Sequence, residues 1–168
     1  TAVGDCDALE PLAPRVMSTI FYTSGSTGAP KGIAGTTRGI GHFVRWESDE
    51  LGVQPGWRFT QLAAPTFDAM LRDVLVPLVN GGCVCIPPAT ALLDAEQLVA
   101  WLERSKVDIV HCVPSLFATM AGVVSRDAKP ALPNLRAILM AGEVLPVADV
   151  QRWRAVYGVR VELWNLYG

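Results

Sequence analysis

Between Tyr22 and Gly32 the chain strings together residue types suited to holding phosphate. The segment reads Tyr22, Thr23, Ser24, Gly25, Ser26, Thr27, Gly28, Ala29, Pro30, Lys31, Gly32. Small residues let the backbone bend until successive N–H groups converge on an anion. The hydroxyls of Ser24, Ser26 and Thr27 add donors, and Lys31 supplies a cation. A Walker A loop is excluded, because it needs Gly immediately before its Lys and Ser or Thr immediately after. Here Pro30 precedes Lys31 and Gly32 follows it. The proline removes an N–H that such a loop uses, and the hydroxyl that would hold magnesium is missing. From residue types alone the segment is either a phosphate cradle or a hairpin loop with a solvated lysine.

Further candidates lie downstream. Asp68 directly precedes an apolar helical pattern, where it serves either as an N-cap or as a carboxylate for a cationic ligand. Arg72 follows four residues later, the spacing of an exposed helical ion pair with Asp68. His111 falls in a buried strand pattern, as a core histidine or as a contact residue. Ala141, Gly142 and Glu143 end another strand, on the side where open α/β sheets bind ligands.

The elements that must position these residues alternate. Residues 16–22 and 33–35 read as a hairpin around the Gly/Ser/Thr loop, with Thr36 or Thr37 capping a helix through Ile40, Phe43, Val44 and Leu51. Strands are expected at 58–64, 83–86, 108–113, 135–140 and 159–164. Helices are expected at 68–79, 94–105, 115–124 and Val147–Tyr157, with Trp101 and Trp153 on core stripes. Such alternation signals βαβ units, hence a doubly wound, mostly parallel sheet with helices on both faces. The expected organisation is a lead-in at 1–14 and a single α/β unit over 15–168.

Composition fits a globular body. Of 168 residues 51% are hydrophobic, and 14 Lys+Arg against 16 Asp+Glu leave a formal charge of −2. Without a basic block, nucleic acid and anionic membranes are not expected partners. No apolar run is long enough to span a bilayer and no basic leader precedes an apolar core, which points to the cytoplasm. Cys6, Cys83, Cys85 and Cys112 lack paired zinc-ligand spacing and read as small buried thiols, so no metal site is expected from them.

The segment 22–32 resembles, at every fixed position, the phosphate-binding signature Tyr-Thr-Ser-Gly-Ser/Thr-Thr-Gly-x-Pro-Lys-Gly of the adenylate-forming superfamily. The resemblance covers essentially the whole chain. Phe67 and Asp68 look like the family's aromatic-binding motif, and 78–82 like its Leu-x-x-Gly-Gly turn. The stretch 113–115 resembles its proline-containing strand exit, 141–143 its Ala-Gly-Gly/Glu strand end, and 165–168 the start of Asn-x-Tyr-Gly-Pro-Thr-Glu. Their order is that of the nonribosomal peptide synthetase adenylation domains, and it implies a flavodoxin-like subdomain plus a hairpin carrying the phosphate loop.

That resemblance implies formation of aminoacyl-AMP from an amino acid and ATP, then transfer to the phosphopantetheine thiol of a carrier protein. Thr23, Ser24, Thr27 and Lys31 would act in catalysis by electrostatics. ATP would be held by these with Gly25, Ser26, Gly28, Ala141, Gly142, Glu143, Asn165, Tyr167 and Gly168. Phe67, Asp68, Ala69, Arg72, His111, Leu139, Ala141 and Leu166 would line the substrate pocket, with Asp68 pairing the α-ammonium group. Arg72 and His111 would favour an acidic or polar side chain. The implied partners are the rest of the adenylation domain and the carrier and condensation domains of a megasynthase. The glutamate expected to bind magnesium falls past Gly168, so the chain reads as an internal piece, inactive or weak by itself. Two alternatives stay open: an acyl-CoA or aryl-acid ligase core, which would leave Asp68 facing a ligand without an amine, and a non-catalytic structural subdomain.

Overall fold

The structure, a computed structural model, describes residues 13, 15–23, 30–124 and 132–166. Strands β1 (Met17–Thr23) and β2 (Lys31–Thr36) form an antiparallel hairpin in which Thr23 stands opposite Lys31. Helix α1 (Thr37–Leu51) follows at once. Its N-cap is Thr36, whose hydroxyl accepts the Gly39 N–H at 3.4 Å, and it ends at Gly52 in the left-handed conformation (φ 58°) that glycine adopts without penalty.

The remaining elements alternate as expected: β3 (Arg58–Thr60), α2 (Ala69–Val79), β4 (Cys83–Cys85), the short α3 (Ala89–Leu92), α4 (Ala95–Arg104), β5 (Ile109–Cys112), α5 (Pro114–Val124), β6 (Ala137–Ala141), α6 (Val147–Tyr157) and β7 (Glu162–Leu166). Five strands pair in parallel in the order β4-β3-β5-β6-β7, the flavodoxin-like winding. The winding reverses at β3, which has β4 on one side and β5 on the other, and ligands of such sheets bind beyond the strand C-termini near that switch.

Strand alternation distributes the core over both faces. Val110, Ile138 and Met140 cluster with Leu98, Trp101, Phe117, Met120 and Trp153 from α4, α5 and α6. Ile109, Leu139 and Phe59 face the other way, with Val44 of α1 and Val76 of α2. Trp101 and Trp153 are thus core residues, 9% and 0% exposed. The Asp94 cap forms, its carboxylate accepting the Glu96 N–H at 2.8 Å, and Pro114 opens α5.

Several boundaries differ from expectation. Strand β3 stops at Thr60 rather than 64, because the N–H groups of Leu62 and Ala63 donate to the Asp73 carboxylate, both at 3.1 Å, instead of extending a ladder. Helix α2 begins at Ala69 rather than Asp68. Strands β6 and β7 run through Ala141 and Leu166, and α3 has no counterpart in the expected pattern. Cys83, expected to be buried, is exposed because β4 is an edge strand, whereas Cys85 and Cys112 are buried. Only Ala13 of the lead-in lies within the described residues. Among them no helix is long and apolar enough to cross a membrane.

Candidate functional site

An open cavity of about 950 Å³ lies where the hairpin, α1, α2 and the C-terminal ends of β6 and β7 meet. The hairpin contributes Thr19, Tyr22 and Thr23, and α1 contributes Ile40 and Phe43. Opposite stand Phe67, Asp68, Ala69 and Arg72; Ala141, Gly142 and Leu166 complete the wall. Residues far apart in sequence therefore converge, at the strand ends where an open α/β sheet offers a crevice.

Asp68 is exposed and makes no side-chain capping bond, although it occupies the N-cap position of α2. It forms no ion pair with Arg72 either. Arg72 is 8% exposed, and its nearest anion is Asp73, with Nε 3.5 Å from Oδ1. The exposed helical pair is therefore not formed, and Asp68 presents an uncommitted carboxylate to the cavity. Phe67 stands 65% exposed beside it.

Other candidates are placed differently. His111 is 1% exposed and does not line the cavity. Its Nδ1 lies 3.1 Å from Asp73 Oδ1 and its Nε2 2.7 Å from Glu47 Oε1. A neutral imidazole has one N–H, and a bare nitrogen 2.7 Å from a carboxylate oxygen would be repelled; the imidazolium is attracted to both, hydrogen-bonded to Asp73 through Nδ1 and ion-paired with Glu47 at Nε2. Burial is the largest influence on this histidine and opposes its charge. The hydrogen bonds to Asp73 and Glu47, with the Glu47 charge, outweigh burial and raise its pKa above 6.5, against the pull of Arg72. Asp73 mirrors this: burial pushes its pKa up, but bonds from His111 and Ala63, with the charges of His111 and Arg72, leave it below 3.8.

Leu139, expected on the wall, lies in the core at 1% exposure. Glu143 is exposed, and its carboxylate accepts the Ser115 N–H at 2.8 Å in the first turn of α5, where helices leave N–H groups unpaired. Asn165 is exposed on β7 opposite Met140, off the cavity wall. Thr23 and Lys31 pair with each other at the last rung of the hairpin ladder. Ser24, Gly25, Ser26, Thr27, Gly28, Tyr167 and Gly168 lie outside the described residues.

Sequence reasoning missed Glu47 and Asp73. A signal for both existed. Glu47 falls on the same helical stripe as Ile40, Val44 and Leu51, and Asp73 on that of Ala69 and Val76, so each is an acid at a core position. Acids there must find partners.

The model of the AMP-binding enzyme family matches residues 4–168. The chain belongs to that family. Among relatives, this AMP-binding chain is 34% identical over 168 residues to an L-proline--L-prolyl-carrier protein ligase of Streptomyces coelicolor, covering 98% of this chain and 31% of that one. It is 33% identical over 161 residues to a Delta-poly-L-ornithine synthetase of Acinetobacter baumannii, covering 96% and 11%. The AMPPNP-bound form of the nonribosomal peptide synthetase FmoA3 superimposes with a TM-score of 0.82 at 28% identity, over 92% of this chain and 16% of that one. The chain thus spans about a third or less of the length of these relatives.

Proposed function

We propose that the chain is the amino-acid- and ATP-binding core of an adenylation domain. A substrate carboxylate oxygen attacks the α-phosphorus of ATP, the bond from that phosphorus to the bridging oxygen breaks, and aminoacyl-AMP and pyrophosphate result. A carrier-protein thiol then takes the acyl group and AMP departs. The protein's share is position and charge rather than covalent catalysis. Asp68 holds the α-ammonium group, and Phe67, Ala69 and Leu166 shape the space around it. Ala141 and Gly142, small residues at the end of β6, leave room for a flat ring. Thr23 and Lys31, with Ser24, Ser26 and Thr27 between them, neutralise charge on the departing pyrophosphate.

The observation that carries this reading is Asp68: an acid at a helix N-cap position that makes no cap bond and faces a shared cavity. The relatives' printed names, a prolyl-carrier ligase and a peptide synthetase with AMPPNP, support amino acid, carrier protein and ATP as partners. Magnesium is a different matter. Among the described residues no group of three or more His, Cys, Asp or Glu fits a metal ion, and no step here runs through one.

The test is amino-acid-dependent exchange of pyrophosphate into ATP by the protein that carries this chain. Asp68→Ala is expected to cost at least about tenfold in kcat/KM for the amino acid, as loss of a charge-assisted contact does, and to leave folding stability unchanged. Equal exchange with 2-hydroxy acids would overturn the reading in favour of an acyl or aryl ligase.

A further inference from the structure

Among the described residues, Arg72 is the one cavity-lining side chain that is both cationic and nine-tenths buried, at 10% side-chain exposure. Its Nε has no hydrogen-bond partner. Its neighbour Asp73 forms only a long ion pair with it, 3.5 Å from Nε to Oδ1, and already accepts His111 Nδ1 at Oδ1 and the N–H groups of Leu62 and Ala63 at Oδ2. A guanidinium carries five N–H donors, and burying them without acceptors is unfavourable. Ile40, Phe43, Leu71 and Leu166 on the same wall are apolar, and the cavity's polar residues, Asp68 among them, make no hydrogen bond to Nε. A ligand with acceptor oxygens would supply the partner that Nε lacks, and a planar carboxylate matches the guanidinium fork best.

Position decides which carboxylate. Arg72 lies one helical turn beyond Asp68, about 6 Å along the axis at 1.5 Å per residue, on the same helix face. On the reading above, an amino acid anchored by its α-ammonium group at Asp68 turns its α-carboxylate toward the hairpin, where the phosphate loop starts. Only its side chain is left for Arg72. We infer that Arg72 is a specificity-determining residue and that this cavity selects an amino acid with an anionic side chain, of the aspartate or glutamate class.

This inference rests on the adenylation reading, and paired isosteres separate the two. Exchange rates and calorimetric affinities are measured for L-aspartate against L-asparagine and for L-glutamate against L-glutamine, with the intact protein. At least one acid should exceed its amide by about tenfold or more in kcat/KM and in Kd, because a charged acceptor is exchanged for a group that is half donor. Arg72→Met should erase that ratio, and Arg72→Lys, which keeps charge and loses the fork, should retain part of it. Equal use of acid and amide by the wild-type protein overturns the inference and needs no variant. So does an Arg72→Met protein that loses all amino acids alike, which would mean that Arg72 reads the α-carboxylate. Failure of every amino acid to support exchange overturns the adenylation reading itself.

Discussion

Replacing His111 with leucine removes the imidazolium that bridges two carboxylates, Glu47 and Asp73, whose side chains have no exposure at all. Removing one partner of a buried ion pair costs about 3–5 kcal/mol, because the remaining charge stays out of water. Against the usual 5–15 kcal/mol of total stability, that is a large fraction. The wild-type protein should itself report the bridge through pH. The folded pKa of His111 lies above 6.5, so its contribution is complete below that value and is lost as pH rises through the folded value. The slope is about 1.4 kcal/mol per pH unit while the folded state holds a proton that the unfolded state has released. Asp73 acts in the opposite sense, its contribution present above 3.8 and lost as pH falls through its lower folded value. Urea unfolding followed by tryptophan fluorescence, with Trp153 fully buried as reporter, measures both effects. The chain has two histidines, and His42 is exposed on α1, so a His42→Ala protein provides the control. Stability that stays level from about pH 6 to about pH 9, or a His111→Leu protein within about 1 kcal/mol of wild type, would refute the bridged imidazolium.

Three further outcomes are open to measurement. Gly82→Ala should destabilise by about 1–3 kcal/mol in the same unfolding assay, because a Cβ there would meet the Trp57 carbonyl oxygen at 2.6 Å and the Pro77 carbonyl oxygen at 3.2 Å. Thr36→Ala should cost about 1 kcal/mol through loss of the α1 cap, and Thr36→Ser should restore most of it. Thiol titration should label Cys83 in the folded protein and reach Cys112 only after unfolding, since burial pushes the Cys112 thiol up to about 12.

Where local chemistry decides, the sequence was readable. Thr36, one of the two expected caps, holds the N-terminus of α1 through a side-chain preference contained within a few residues. The parallel sheet followed from alternation alone. What escaped reading depends on contacts between distant segments. Strand β3 ends early because Asp73, on the next helix, takes the N–H groups that would have continued it. His111 entered the expected pocket by resemblance, while its strand pattern fitted the core histidine that the structure shows; nothing near it in sequence announces Glu47. Arg72 was weighed against an ion pair with Asp68, and the spacing permits that pair; its absence comes from the burial of Arg72 beside Asp73. Cys83 and Cys85 share one strand face by periodicity, but only the tertiary fold shows that β4 is an edge.

Two of the cavity's walls come from segments that lie on either side of α1 in the chain. Thr19, Tyr22 and Thr23 lie before that helix in the chain, and residues 66–72 lie after it. An engineer can exchange residues 66–72 as one short cassette, repainting one wall while the hairpin keeps its register. The limit of such grafting is Asp73, the first residue beyond the cassette, which ties the segment after β3 and His111 of β5 to α2 and must stay.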